Sequence, residues 1–155
     1  MQALTAVIAV LGTLLGSSVT YVFQRRIAER TRQLDDQARG RQERLDAFAS
    51  YAGALHNYRR MTVHRWLVAN ERPDTEDVNA ITREIYEVRA DAVEAGFRVQ
   101  LLTDEPGVRE RATAALRSIT DLHDMCQTRD ELDVHRAASR TAIQDFITAA
   151  APLSR

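Results

Sequence analysis

VNAITREIYEVRADAVEAGFRVQLL, residues 78–102, decides the fold. Its apolar side chains recur at alternating steps of three and four without a break, which is the heptad pattern of a helix with one buried face. These positions are Val78, Ile81, Ile85, Val88, Ala92, Ala95, Val99 and Leu102. We therefore expect a long amphipathic helix here, with Ile85 buried at its middle and the neighbouring Arg89 exposed.

Three further stretches show the same helical periodicity, and the sequence predicts helices over about 45–70, 75–102, 104–126 and 129–151. The first ends before Arg72-Pro73. The third has Pro106 in its first turn, and the fourth opens with the capping box Thr128-x-x-Glu131.

The links between these helices are short, so successive helices should be antiparallel. The fold class is therefore expected to be all-α, with an antiparallel four-helix, up-down bundle over residues 45–155. An open coiled-coil hairpin that completes its core by dimerising is the alternative.

The N-terminal residues 3–23, ALTAVIAVLGTLLGSSVTYVF, carry no charge. At about 1.5 Å per helical residue they would extend over about 31 Å, the thickness of a bilayer core. We expect residues 1–24 to be a transmembrane anchor, with Tyr21, Arg25 and Arg26 at the membrane interface. A cleaved signal peptide and a buried helix of a soluble protein are the alternatives.

The positive-inside rule sets the expected orientation. The arginines follow the apolar run, so the N-terminus should face outside and the bundle should be cytoplasmic. Residues 25–44 are almost entirely polar and predict a helical stalk that continues the span. Gly12 and Gly16 form a G-x-x-x-G, a spacing that lets two membrane helices pack closely or that merely reflects the many small residues of such spans.

His56, Arg60 and His64 repeat at steps of four and form the strongest candidate partner patch. They would hold an acidic partner or a phosphate and respond to pH, or they would lie on a solvated face and pair with acids of a neighbouring helix. Tyr58 and Trp66 fit a core stripe better than a ligand cage.

Catalytic and metal sites are not expected. His123-x-x-Cys126 provides only two of the ligands that zinc needs, and His135, at an expected core position, is better explained as a structural residue. No phosphate loop or catalytic triad is present, and one cysteine excludes a disulfide framework. We expect no cofactor, no enzymatic activity and no small-molecule ligand.

Composition agrees with a folded interaction protein. The chain is 45% hydrophobic and 28% charged, which excludes wholesale disorder. Its net charge of −1 provides no general attraction to nucleic acid. The expected partners are the lipid bilayer and either a second copy or another protein.

The apolar run AVIAVLGTLLGSSVTYVFQRR, followed by an Arg/Glu/Gln-rich helix and a helical remainder, resembles the small actinobacterial KilB-type proteins. That resemblance implies membrane association and a part in plasmid spread. We therefore expect a single-pass membrane protein whose cytoplasmic bundle is a scaffold or interaction module. A membrane-anchored sensor with an aromatic-lined pocket near Tyr58 and Trp66 is the alternative.

Overall fold

The computed structural model describes residues 2–73 and 75–154, without the side chains of residues 2–23, 25–28 and 154. Every regular element in these ranges is helical, which confirms the all-α class. The helices are α1 (Gln2–Glu71), α2 (Val78–Leu102), α3 (Pro106–Met125) and α4 (Arg129–Ala150), and a short 3-10 helix (Ala151–Ser154) follows.

The chain divides into two units, Met1–Gly40 and Arg41–Arg155. In the first unit the described side chains of residues 29–39 are exposed. The expected span, with Gly12, Gly16 and Tyr21, and the interfacial Arg25 and Arg26 fall among the residues whose side chains are not described. Among the residues that the structure describes, no helix has the length and hydropathy needed to cross a membrane.

Two hydrogen bonds set the direction of α1 relative to α3. The Tyr51 hydroxyl donates to the Ala112 carbonyl oxygen at 2.8 Å. Near the C-terminal ends of the two helices, the Trp66 indole N–H donates to the Cys126 carbonyl oxygen at 3.0 Å. Later residues of α1 meet later residues of α3, so the two helices are parallel.

The contacts between α1 and α4 run in the opposite order. The rings of Phe48 and Phe146 meet edge to face with 6.2 Å between centroids. At the other end, Arg129 Nη1 pairs with Glu71 Oε1 at 2.6 Å. The beginning of α4 therefore lies beside the end of α1, and these helices are antiparallel.

α2 is also antiparallel to α1. Arg65 Nε donates to Thr82 Oγ1 at 3.1 Å, near the start of α2, while Gly96, near its end, lies against the Tyr51 ring. The second unit is thus an up-down-up-down bundle, as the short links predict.

Side chains from all four helices build the main core, and Val63, Trp66, Leu122 and Leu132 form a second, smaller cluster. The largest fully buried apolar side chains are Tyr51, Tyr58, Phe146, Leu55, Ile119, Leu122, Leu132, Val68, Val99 and Val108. Ile85 is 3% exposed, which confirms its expected burial. Because these side chains are buried within one chain, the core needs no second copy to close it.

The helix termini show where sequence expectation and structure differ. Asp77 is the N-cap of α2, its carboxylate accepting the Asn79 backbone N–H at 2.8 Å, so α2 begins three residues after the expected residue 75. Pro106 stands in the first turn of α3, as expected. The Thr128–Glu131 capping box is present at the start of α4.

One expectation for α4 is wrong. His135 was placed in the core, yet it is only half-buried. The buried positions of α4 are Leu132, Ser139, Ile143, Phe146 and Ala150. The core-facing surface is therefore rotated away from His135, toward the side of α4 that packs on α1.

Candidate interaction surfaces

One residue of the expected partner patch, His64, pairs with an acidic residue of the α1–α2 connection. His56 and Arg60 are exposed, and His64 is half-buried. His64 Nε2 lies 3.1 Å from Glu76 Oε2. An open polar pocket of about 350 Å³ separates α1 from the start of α2 and is lined by Arg60, Met61, His64, Glu76, Asp77, Ala80, Ile81 and Glu84.

Carboxylates therefore face this patch. Glu76, Asp77 and Glu84 line the same pocket as Arg60 and His64. An incoming anion would meet this negative charge as well as the positive charge. The geometry favours the pairing interpretation over a phosphate site at these three residues.

The aromatic residues of α1 are packing residues with satisfied polar atoms. Burial raises the pKa of Tyr51 to about 12, and its hydroxyl is bonded to Ala112. Tyr58 is fully buried, and burial raises its pKa as well. The described apolar cavity, of about 270 Å³, lies between the beginning of the bundle part of α1 and the end of α4 and is not lined by Tyr58 or Trp66.

His123 and Cys126 do not form a metal site with other ligands in the described part of the chain, where no cluster of three ligand side chains occurs. Burial, followed by the charge of Arg65, lowers the pKa of His123. Its Nδ1 is buried without a hydrogen-bond partner among the described residues. Burial, followed by the charge of Glu131, raises the pKa of the half-buried Cys126 thiol.

A second apolar stripe follows the outer side of α2. Tyr86, Phe97 and Leu101 are 63%, 58% and 85% exposed. The exposed Ala90 and the half-buried Val93 lie between them. These five residues, the α2 stripe, follow one another at steps of 4, 3, 4 and 4, so they share one face of the helix.

The α2 stripe was missed at the sequence level although its signal is present. The longer heptad run of α2 was assigned to the core, and that assignment is correct. The shorter run lies on the same helix with the same spacing. Apolar side chains therefore occupy two faces of α2, one buried in the core and one exposed.

A cationic cluster was also missed. Arg59 adjoins the expected partner patch in the sequence, but it is 8% exposed and its guanidinium bonds to α4. Its Nε donates to Ser139 Oγ at 3.1 Å, and its Nη2 donates to the Arg136 carbonyl oxygen at 3.1 Å. Arg136 and Arg140, one turn apart on α4, lower the pKa of Arg59 in addition to the larger effect of burial.

Comparison with known proteins identifies the family to which the bundle belongs. The family described as KilB plasmid transfer protein matches residues 45–154, which contain α2, α3, α4 and the part of α1 that packs against them. The chain belongs to the KilB plasmid transfer protein family. No curated protein and no solved structure matches it.

The KilB match confirms the resemblance seen in the sequence, but it rests on a different part of the chain. The residue pattern that suggested the resemblance lies in the first 45 residues, whereas the family match begins at residue 45. Membership in the KilB family therefore rests on the helical bundle and points to a role in plasmid transfer.

Proposed function

We propose that this KilB-family chain is a non-enzymatic, membrane-anchored scaffold of plasmid transfer whose cytoplasmic bundle joins a second copy through the α2 stripe. The observation that carries the proposal is this stripe of large apolar side chains on a bundle whose core is already closed. The largest apolar patch on a protein surface is often functional.

The area of the α2 stripe suits contact with a second copy. Tyr86 and Phe97 are more than half exposed, and Leu101 is almost fully so. With about 150–250 Å² for a whole aromatic side chain, the five residues present roughly 400 Å² of apolar surface. A standard interface covers about 800 Å² on each partner, of which about 57% is apolar. The stripe with its polar rim supplies about that amount.

The spacing of the stripe also favours a helix as the occupant. Steps of three and four residues are those of a coiled-coil seam, in which large side chains of one helix enter the spaces on another. A two-fold axis brings the same stripe of both copies together, so a single surface serves both sides of the contact.

The anchor rests on residues 3–23, and the orientation rests on the arginines that follow them. A reporter or cysteine label at residue 155 tests the orientation in intact cells. Cytoplasmic placement is expected, and external labelling would contradict it. Moving positive charge to positions 2 and 3 should weaken the bias.

Cysteine crosslinking of the full-length protein in membranes tests the self-association. Val93→Cys, at the middle of the stripe, is made in a Cys126→Ser background, and the exposed Ala114→Cys on α3 is the matched control. Mild oxidation should give dimers from Val93→Cys and only background from Ala114→Cys.

Equal dimer yields from the two positions would refute the α2 contact. Crosslinks from Val93→Cys to a protein of another mass, without homodimers, would refute the second copy as occupant. The stripe variant Leu101→Glu should also lower the frequency of plasmid transfer in cells, whereas Val134→Glu, which changes an exposed residue of α4, should not.

A further inference from the structure

Arg59 is a buried cation without a carboxylate. Its two hydrogen bonds go to a hydroxyl and to a main-chain carbonyl of α4. Those bonds use two of the five N–H groups of a guanidinium. Among the residues that the structure describes, no carboxylate forms an ion pair with Arg59, although a buried charge ordinarily needs a counter-charge.

The surroundings of Arg59 add positive charge. Arg136 and Arg140 are close enough to act on it electrostatically. Within the described ranges, the carboxylate nearest this cluster by ion-pair contact is Asp133, 4.0 Å from Arg136 Nη1. Asp133 also pairs with Arg129, and within the described ranges neither Arg59 nor Arg140 forms an ion pair with a carboxylate, so the cluster has an excess of positive charge.

The same α1–α4 seam contains an apolar cavity. Its volume is about 270 Å³, and its lining residues are Leu45, Phe48, Ala49, Ala52, Phe146, Ile147, Ala150 and Ala151. Ala52 precedes Arg59 by two helical turns, or about 10 Å at about 1.5 Å per residue. Arg59 and the apolar cavity therefore lie on the same α1–α4 seam, about 10 Å apart along α1.

We propose that the α1–α4 seam binds an anionic phospholipid, with the phosphate at Arg59, Arg136 and Arg140 and an acyl chain in the cavity. The guanidinium fork suits phosphate oxygens, which accept paired charge-assisted hydrogen bonds. The lipid phosphate supplies the missing counter-charge, and the acyl chain covers the apolar lining of the cavity. This site is separate from the α2 stripe and needs neither self-association nor a membrane span.

Binding to the full-length protein in neutral detergent tests the proposal. The probes are short-chain phosphatidylglycerol, phosphatidylcholine with the same chains, and inorganic phosphate, each measured by calorimetry. Phosphatidylglycerol should bind best, because it carries both a net negative headgroup and acyl chains. Equal affinity for the two lipids, or phosphate binding as tight as phosphatidylglycerol, would overturn the assignment.

Variants separate the headgroup from the chain. Arg140→Gln, at an exposed position, should weaken phosphatidylglycerol binding about tenfold, the loss of one charged hydrogen bond. The exposed Arg98→Gln on α2 is the control and should leave binding unchanged. Ala49→Trp should fill the cavity and weaken lipid binding without weakening phosphate binding. An unchanged affinity in Arg140→Gln, or an equal loss in Arg98→Gln, would refute the site.

Discussion

Gly96→Ala tests the closest approach between α1 and α2. A Cβ atom at this position would lie 3.2 Å from Tyr51 Cε2. Tyr51 has little freedom to move away, because it is buried, is bonded to Ala112, and stacks edge to face on Phe146 with 5.1 Å between ring centroids.

Two opposing effects decide the result. Replacing glycine by alanine inside a helix stabilises it by about 1 kcal/mol. Forcing an extra methyl group into a well-packed core costs about 1–3 kcal/mol. Since the Tyr51 ring is held on several sides, we expect the packing cost to exceed the gain and Gly96→Ala to destabilise the bundle by about 1 kcal/mol.

Gly53→Ala is the matched control. Gly53 lies in α1, is exposed, and has nothing within 4 Å of the added Cβ. Only the helix-propensity effect remains there, so this variant should be about 1 kcal/mol more stable than the parent.

Urea unfolding followed by circular dichroism measures both variants. The same substitution should change the free energy of unfolding in opposite directions, with a difference of about 2 kcal/mol. Stabilisation by Gly96→Ala equal to that by Gly53→Ala would refute the packing of α2 on Tyr51.

Three other predictions follow from the core and the anchor. Ile85→Ala should cost about 2–5 kcal/mol and the exposed Arg89→Ala about 0.5 or less in urea unfolding; equal costs would place the wrong face of α2 in the core. Because the folded-state pKa of Tyr51 is raised to about 12, its contribution to stability is complete below the unfolded value of about 10 and is lost as the pH rises from there toward 12. Tyr51→Phe should flatten this alkaline loss, and an unchanged pH profile would contradict it. Gly16→Ile should weaken any contact between spans in a bilayer without unfolding the bundle, as crosslinking and circular dichroism would show; unchanged crosslinking would make the span an anchor only.

The bundle itself was predictable because its periodicity is nearly complete. The heptad run of α2 and the capping box of α4 are both present in the structure. The start of α2 was harder to predict, since four residues from Asp74 to Asp77 all favour helix starts. Thr75 Oγ1 and its N–H instead bond back to the Arg72 carbonyl in a turn, which leaves Asp77 as the cap.

The site at Arg59 was not predictable from one stripe. α1 contacts the other three helices, so its buried arc is wider than a single heptad face. Met61, Thr62 and Val63 are consecutive and all buried. Arg59 lies inside that widened arc, four residues after Leu55 and three before Thr62, so its charge and not its spacing is what favours solvent.

Sedimentation of residues 41–155 tests the central claim most directly. All the buried residues of the described chain lie within this unit, so it carries its own core. The account predicts a reversible dimer that Leu101→Glu converts to a monomer and that Val134→Glu leaves intact. A monomer at all concentrations, or a dimer that Leu101→Glu does not weaken, would contradict self-association through the α2 stripe.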